Sequence, residues 1–259
     1  MTKFKEIGDK ISNTLRLKTL PIGIKFVKSS EEFPEGTMRP TKNFGIRICT
    51  CQAVNISRRY GWIMGLTNED IKCIPSSLMY GFVEITDPKA VVEAMKAMEY
   101  GEDDEAIEKM VKKLPILPFG KNEGMYIAPL GMFQSNPDSV LIYCEPAQAM
   151  RLVQASIYKK IDVTSTYVGV AESCRAGIEV YKNKTTGIYL PGSGDRAFAM
   201  TADDELVWAT PFEHLQKIWA ILELPGQKVG LRYPIPTYLL FEPFAPPAWT
   251  ILEEKIKKT

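Results

Sequence analysis

One pattern runs twice through this chain. The first copy passes from Cys51-Gln52-Ala53-Val54 through Arg58 and Arg59 and the apolar Gly61-Trp62-Ile63-Met64-Gly65 to Asp70-Ile71-Lys72-Cys73. The second passes from Ala147-Gln148-Ala149-Met150-Arg151 through Tyr167-Val168-Gly169-Val170 to Glu172-Ser173-Cys174. Each reads as a strand, a Gln-Ala helix, a strand, an acidic residue and then a cysteine that opens a second helix. Two such halves packed about a pseudo-twofold axis would share one core and bring Cys73 and Cys174 to equivalent, facing positions.

The remaining pattern is that of a mixed α/β (α+β) fold. Phe4, Ile7, Ile11 and Leu15 recur at helical spacing, so the chain opens with an amphipathic helix. Pro21 to Val27 reads as the first strand, Gly45 to Cys51 as extended chain, Gln52 to Tyr60 as a helix and Gly61 to Leu66 as a strand. Thr86-Asp87-Pro88 caps a helix to about Tyr100, and a second runs from Asp103 to Leu114; together they read as a helical insertion over 88–114. Ser139 to Cys144 is nearly all apolar, as a central strand is. Further helices are expected over Pro146–Tyr158, from Ser173 to about Val180 and over Pro211–Leu222, with strands over Met125–Leu130, Val163–Val170, Gly187–Leu190 and Glu205–Ala209. Residues 1–259 read as a single domain, with halves near 15–85 and 125–222 and an irregular, Pro-rich wrap over 225–250.

The charge balance removes several functions. Lys and Arg number 32 against 31 Asp and Glu, which leaves no basic footprint for nucleic acid or an anionic membrane. No stretch approaches the ~20 apolar residues of a membrane span, and Met1 to Lys5 has no hydrophobic signal core, so a cytoplasmic location is expected. The single histidine, His214, excludes zinc sites built on several histidines and speaks against a histidine-based triad. It falls in the first turns of a late amphipathic helix and reads as structural.

Five cysteines in a reducing compartment suit thiols or metal ligands better than disulfides. Cys73 and Cys174 stand where helices begin, and a helix N-terminus favours the thiolate that binds metal or attacks an electrophile. Lys72 and Arg175 beside them would act in the same direction. Cys49 and Cys51, if extended, point to one side of a strand, whereas Cys144 ends an apolar strand and reads as core. For each of these thiols, simple burial as a small hydrophobe is the competing reading. Thiolates converging from distant loops suit soft metals and iron–sulfur clusters rather than magnesium or calcium.

A second candidate is Pro191-Gly192-Ser193-Gly194-Asp195-Arg196. Gly192 and Gly194 would permit a tight turn with exposed amides beside Asp195, and Arg196 could hold a carboxylate or phosphate. The third glycine of a dinucleotide fingerprint and the Gly-Lys-Ser/Thr of a P-loop are both missing. Arg58, Arg59 and Arg151, after the two Gln-Ala segments, would add anion contacts or cap helix ends.

Over most of its length the chain resembles the family catalogued as domain of unknown function 169, a prokaryotic family without a settled activity. The resemblance rests on Leu17 to Ile24, Cys51-Gln52-Ala53, Asp70-Ile71-Lys72-Cys73, Glu145 to Met150, Glu172-Ser173-Cys174 and Gly194-Asp195-Arg196. It implies cysteines of one site at Cys51, Cys73 and Cys174. It also implies a further cysteine just before the Gly-Asp-Arg, where this chain has Gly192-Ser193. The fourth ligand is then Cys49 or a group from outside the protein.

These readings converge on a metal-binding protein with Cys51, Cys73, Cys174 and Cys49 around an iron–sulfur cluster, 4Fe–4S in type, in a redox or ligand-binding role. A metal-free module holding a small anion at the Gly-Ser-Gly-Asp-Arg turn is the alternative, and a thiol enzyme the second. The partner expected is a small molecule or a redox protein, with a homo-oligomer left open.

Overall fold

A computed structural model describes residues 2–165, 171–230, 233–235 and 246–256. Thr2 starts α1 (Lys3–Leu15) by accepting a hydrogen bond from the Lys5 amide at 3.3 Å. There follow β1 (Ile22–Val27), α2 (Pro40–Phe44), α3 (Thr50–Tyr60), β2 (Met64–Thr67) and α4 (Ile74–Met79). Next come α5 (Pro88–Ala97), α6 (Asp104–Val111), β3 (Gly124–Pro129), β4 (Ser139–Cys144), α7 (Pro146–Tyr158) and β5 (Val163–Ser165). The chain continues through α8 (Glu172–Asn183), β6 (Thr186–Tyr189), α9 (Ser193–Ala199), β7 (Leu206–Thr210), α10 (Phe212–Ile218) and α11 (Pro247–Ile256).

The strands form one seven-stranded sheet in the order β2-β3-β1-β4-β7-β6-β5. Its pairings are antiparallel except for β5 with β6. Side chains alternate across a pleated sheet, and the sequence is apolar on both phases. Met125, Ile127, Leu141, Tyr143, Val207 and Ala209 therefore form one core with α3, α4 and α8. Tyr126, Ala128, Val140, Ile142, Cys144 and Trp208 form a second with α1, α7 and α10 on the opposite face. Gly23 in β1 admits Phe133 beside the sheet: a Cβ there would stand 2.5 Å from its ring.

The predicted helical pair is present as α5 and α6, capped by Asp87 and Asp103 and packed around Met95 and Ile107. The strand expected over Val163–Val170 is seen as β5; residues 166–170 lie outside the described residues, as does much of the Pro-rich segment over 225–250. Among the described residues no helix is long and apolar enough to cross a membrane.

The internal pattern has a local cause. In both copies the Gln reaches back to the amide at the helix start, Gln52 Oε1 accepting from Cys49 N and Gln148 Oε1 from Glu145 N, each at 2.8 Å. This is half of a capping box. A twofold axis relating antiparallel neighbours β1 and β4 would run perpendicular to the sheet and keep equivalent helices on one face. The two Gln-Ala helices instead lie on opposite faces, Ala53 in one core and Ala149 in the other. The likeness is one of capping chemistry, whereas α4 and α8, which carry the other two cysteines, do share a face.

Asp70, fully buried, ties the first cysteine loops together. Its carboxylate accepts from Arg39 Nε and Nη2, Thr41 N and Oγ1, and Thr67 N and Oγ1. Its carbonyl takes the Ile48 amide at 2.9 Å, while the Lys72 amide reaches Ile48 O at 2.9 Å. Burial alone would raise the Asp70 carboxyl; Thr41, the Thr67 amide and Arg39 outweigh it and hold its pKa below the ordinary value. A carboxyl held low contributes stability above its unfolded pKa of about 4, and that contribution is lost as pH falls through the folded value. Asp70→Asn strands a buried guanidinium and should cost roughly 3–5 kcal/mol in chemical denaturation at neutral pH. The gap between variant and parent should narrow in acid.

Candidate functional site

Four of the five cysteines gather at the N-terminal ends of helices on the α3–α4–α8 side of the sheet. Cys49 is the N-cap of α3 and Cys51 lies in its first turn. Extended geometry was expected over Gly45–Cys51, but the helix begins at Thr50, so a helical turn rather than strand alternation aims the two sulfurs. Cys73 is the N-cap of α4, with Pro75 in the first turn fixing the helix start. Cys174 lies in the first turn of α8 and Asp195 in that of α9.

The contacts among them are direct. Cys49 lies close enough to Cys51 and Cys73 for their thiols to shift its own pKa. Cys51 Sγ lies 3.9 Å from Gly194 O, and Cys174 Sγ lies 3.8 Å from Ser76 Oγ. Ser76 Oγ in turn stands 2.6 Å from Thr50 Oγ1, which joins the starts of α3, α4 and α8. Asp195 accepts from the Gly192 amide at 3.0 Å and from Ser173, and its charge is felt at Cys73 and Cys174. Tyr143 Oη, 2.8 Å from Ser173 Oγ, and Tyr80, whose hydroxyl donates to Cys174 O at 3.4 Å, close the sheet side.

Helix N-termini were expected to lower these thiol pKa values; the structure corrects that. Contact with Cys51, then burial, raises Cys49 despite a lowering contact from Cys73. Contact with Cys49 and burial raise Cys73 far, against the Ser76 amide. Burial raises Cys174 strongly, with Asp195 and Cys73 adding to it. Asp195 itself is raised, because burial outweighs Ser173, the Gly192 amide and Arg196. Lys72 is exposed, and Arg175 is committed to Glu172 and Glu179 at 3.1 and 2.8 Å. Desolvation and crowding of like groups defeat the helix ends here.

The glycine motif also differs from expectation. Gly192 is an N-cap with φ −80° and Ser193 begins α9, so the segment starts a helix and makes no tight turn. Arg196 donates to Ala202 O and stands 3.7 Å from Asp203. The buried group at this motif is an anion, Asp195, where an anion-binding turn needs a cation. Arg58 pairs with buried Glu205 at 2.6 Å and lies 4.0 Å over the Tyr143 ring. Arg59 donates to Asn55 Oδ1 and to Met200 O, and Arg151 to the carbonyls of Leu222 and Pro225. All three hold elements together.

Cys144 faces the opposite core and is pushed up to about 12 by burial. His214 Nδ1 lies 2.9 Å from Thr186 Oγ1, a structural contact on the α10 side. Sequence reasoning missed Ser76, Ser173, Thr50, Tyr80 and Tyr143. For the two serines the signal was a place near a helix-starting cysteine, three residues after it in Cys73-Ile74-Pro75-Ser76 and directly before it in Ser173-Cys174.

A model of the family domain of unknown function 169, described as uncharacterised ArCR, matches residues 10–220, a span that includes every residue of this cluster. The chain belongs to this family. An uncharacterized protein of Methanocaldococcus jannaschii is 27% identical over 228 residues, covering 86% of this chain and 95% of that relative. No solved structure matches the chain.

The thiol cluster opens into neither of two surface cavities, of about 550 and 290 Å³, whose walls carry no cysteine. In metal-free protein at pH 7, Cys49 and Cys73 should therefore react with iodoacetamide at under about a tenth of the rate of an unperturbed thiol, the thiolate being the nucleophile. Labelling should speed up as pH rises. Rapid labelling of either at neutral pH, read by peptide mass spectrometry, would contradict these shifts.

Proposed function

We propose that this family member is a metal protein that holds an iron–sulfur cluster at Cys51, Cys73 and Cys174, with Cys49 as the fourth thiolate. The reading rests on one observation: sulfurs distant in sequence gather at the starts of three helices, α3, α4 and α8, beside the start of α9 with Asp195. The donor set is soft, and helix N-termini favour the net negative charge of a thiolate-ligated cluster. Among the described residues no three His, Cys, Asp or Glu side chains are spaced for a single ion. A polynuclear cluster takes its thiolates on separate irons, so its ligands need not converge on one point.

The raised thiols suit the same reading. Crowded, buried thiols give up their protons only when a cation replaces them, so metal binding would release protons and weaken in acid. A bound cluster with four thiolates would supply one-electron chemistry. Around it Ser76 and Ser173 would orient sulfur and carboxylate, and Tyr80 and Tyr143 would keep water out. A reducing, cytoplasmic setting would keep the cysteines available. The anion-binding alternative has less support, since Arg196 is engaged elsewhere, and so has a thiol enzyme, since burial suppresses the thiolate.

Protein purified without oxygen should contain iron and acid-labile sulfide in comparable amounts. Cys73→Ser or Cys174→Ser should reduce both at least tenfold, and Cys144→Ser should leave them unchanged. An iron-free chain with five titratable thiols, unaltered by anaerobic reconstitution with iron and sulfide, would overturn the reading.

A further inference from the structure

Three exposed rings meet beyond the C-terminal end of α3. Tyr60 is the last residue of that helix, and Gly61, at φ +77°, ends it by donating its amide to Ser57 O. Trp62 follows directly, and the chain is then pinned where Met38 N donates to Ile63 O at 2.8 Å. Phe44 ends α2 in the same way, with Gly45 at φ +67° as its cap. Glycine takes such left-handed positions without the strain of a Cβ. Two glycine-capped helix ends thereby deliver Phe44 and Tyr60 to one indole. The Trp62 ring lies 6.1 Å from Phe44, nearly parallel at 13°, and 6.3 Å from Tyr60.

These rings belong to neither core and stay open to water, Phe44 and Trp62 at 44% and Tyr60 at 63% of their full area. Leu20 and Met132, also exposed, extend the patch. A Cβ on Gly61 would stand 3.9 Å from Leu20 Cδ1, and Met132 shares a cavity wall with Trp62. Single exposed apolar side chains are ordinary, whereas a contiguous run marks an interaction surface. The three rings alone expose roughly 300 Å². Leu20 and Met132 bring the patch toward the ~500 Å² of apolar area that one side of a standard ~800 Å² interface holds. The cavity of about 290 Å³ beside Trp62 is walled by Met38, Ile63 and Met132 and carries no charged side chain. It has room for one aromatic side chain. A projecting ring, Tyr60, and an apolar hollow therefore adjoin the same indole.

We infer that this patch is the interface of a symmetric dimer of this chain, in which each copy sets its Tyr60 into the hollow of the other. A two-fold interface needs a surface that complements itself. A knob beside a hole is what a second copy requires and a different partner does not. The composition agrees, since Tyr, Trp, Phe and Met are enriched and charges depleted at the centre of interfaces. Cys49 and Cys51 lie at the opposite end of α3, a helix of 11 residues and about 16 Å, so the dimer stands or falls independently of the metal site.

The test is sedimentation of the full chain between about one and a hundred micromolar, where a dimer of ordinary affinity is populated. The parent should reach twice the mass of one chain. Tyr60→Ala, which removes the knob, and Met132→Glu, which charges the hollow, should each weaken association at least tenfold with unchanged far-ultraviolet circular dichroism. Both side chains are exposed, and Trp62→Asp serves as a third variant if either fails to fold. An equimolar mixture of Tyr60→Ala and Met132→Glu should associate more tightly than either variant alone, because one knob-and-hole contact is then whole. A parent that stays monomeric at the highest concentration, a dimer that persists unchanged in the variants, or a mixture no tighter than its components would overturn the interface.

Discussion

The buried Asp70 carboxylate is the contact on which the rest of this structure depends. It gathers Arg39 and Thr41 from the start of α2 and Thr67 from the end of β2 into one knot, and its backbone joins the stretch before Cys49 to the stretch before Cys73. A charge so placed is tolerable only because every partner is present, since removing one leaves the others buried and unpaired. The knot therefore specifies where two loops meet as well as how firmly they hold. The sulfurs of Cys49 and Cys73 inherit their contact from it.

The sheet positions the remaining partners. Its two apolar phases make two cores, and only one of them ends in helix starts that carry thiols. Tyr143 and Tyr80 extend that core up to the cluster, so the sulfur side chains sit where apolar packing gives way to polar groups. Burial and crowding raise Cys49, Cys73 and Cys174 and keep them protonated in the absence of a cation. That suits the proposed metal site better than a nucleophilic thiol.

Much of this was legible in the sequence. Strand β4 and helix α7 fall where the nearly unbroken apolar run, Pro146 and the Gln-Ala segment placed them, because local capping and packing agree there. Cys144 was readable as core from its apolar strand. The cysteine cluster was legible as a set, though its geometry was not: Cys49 and Cys51 converge through a helix turn that the flanking apolar residues disguised as a strand. The internal pattern misled because capping boxes repeat wherever helices start, whatever face those helices later cover. Asp195 and the serines were hard to weigh because their meaning depends on contacts across more than a hundred residues, as between Cys51 and Gly194.

One step along β4 separates two environments. Tyr143 adjoins the sulfur-lined side, and its neighbour Cys144 is sealed on the other. The chain thereby contains an internal reference thiol. Oxidants or soft ions that alter the gathered cysteines while sparing Cys144 are acting on an intact protein, and damage to Cys144 marks a sheet that has come apart.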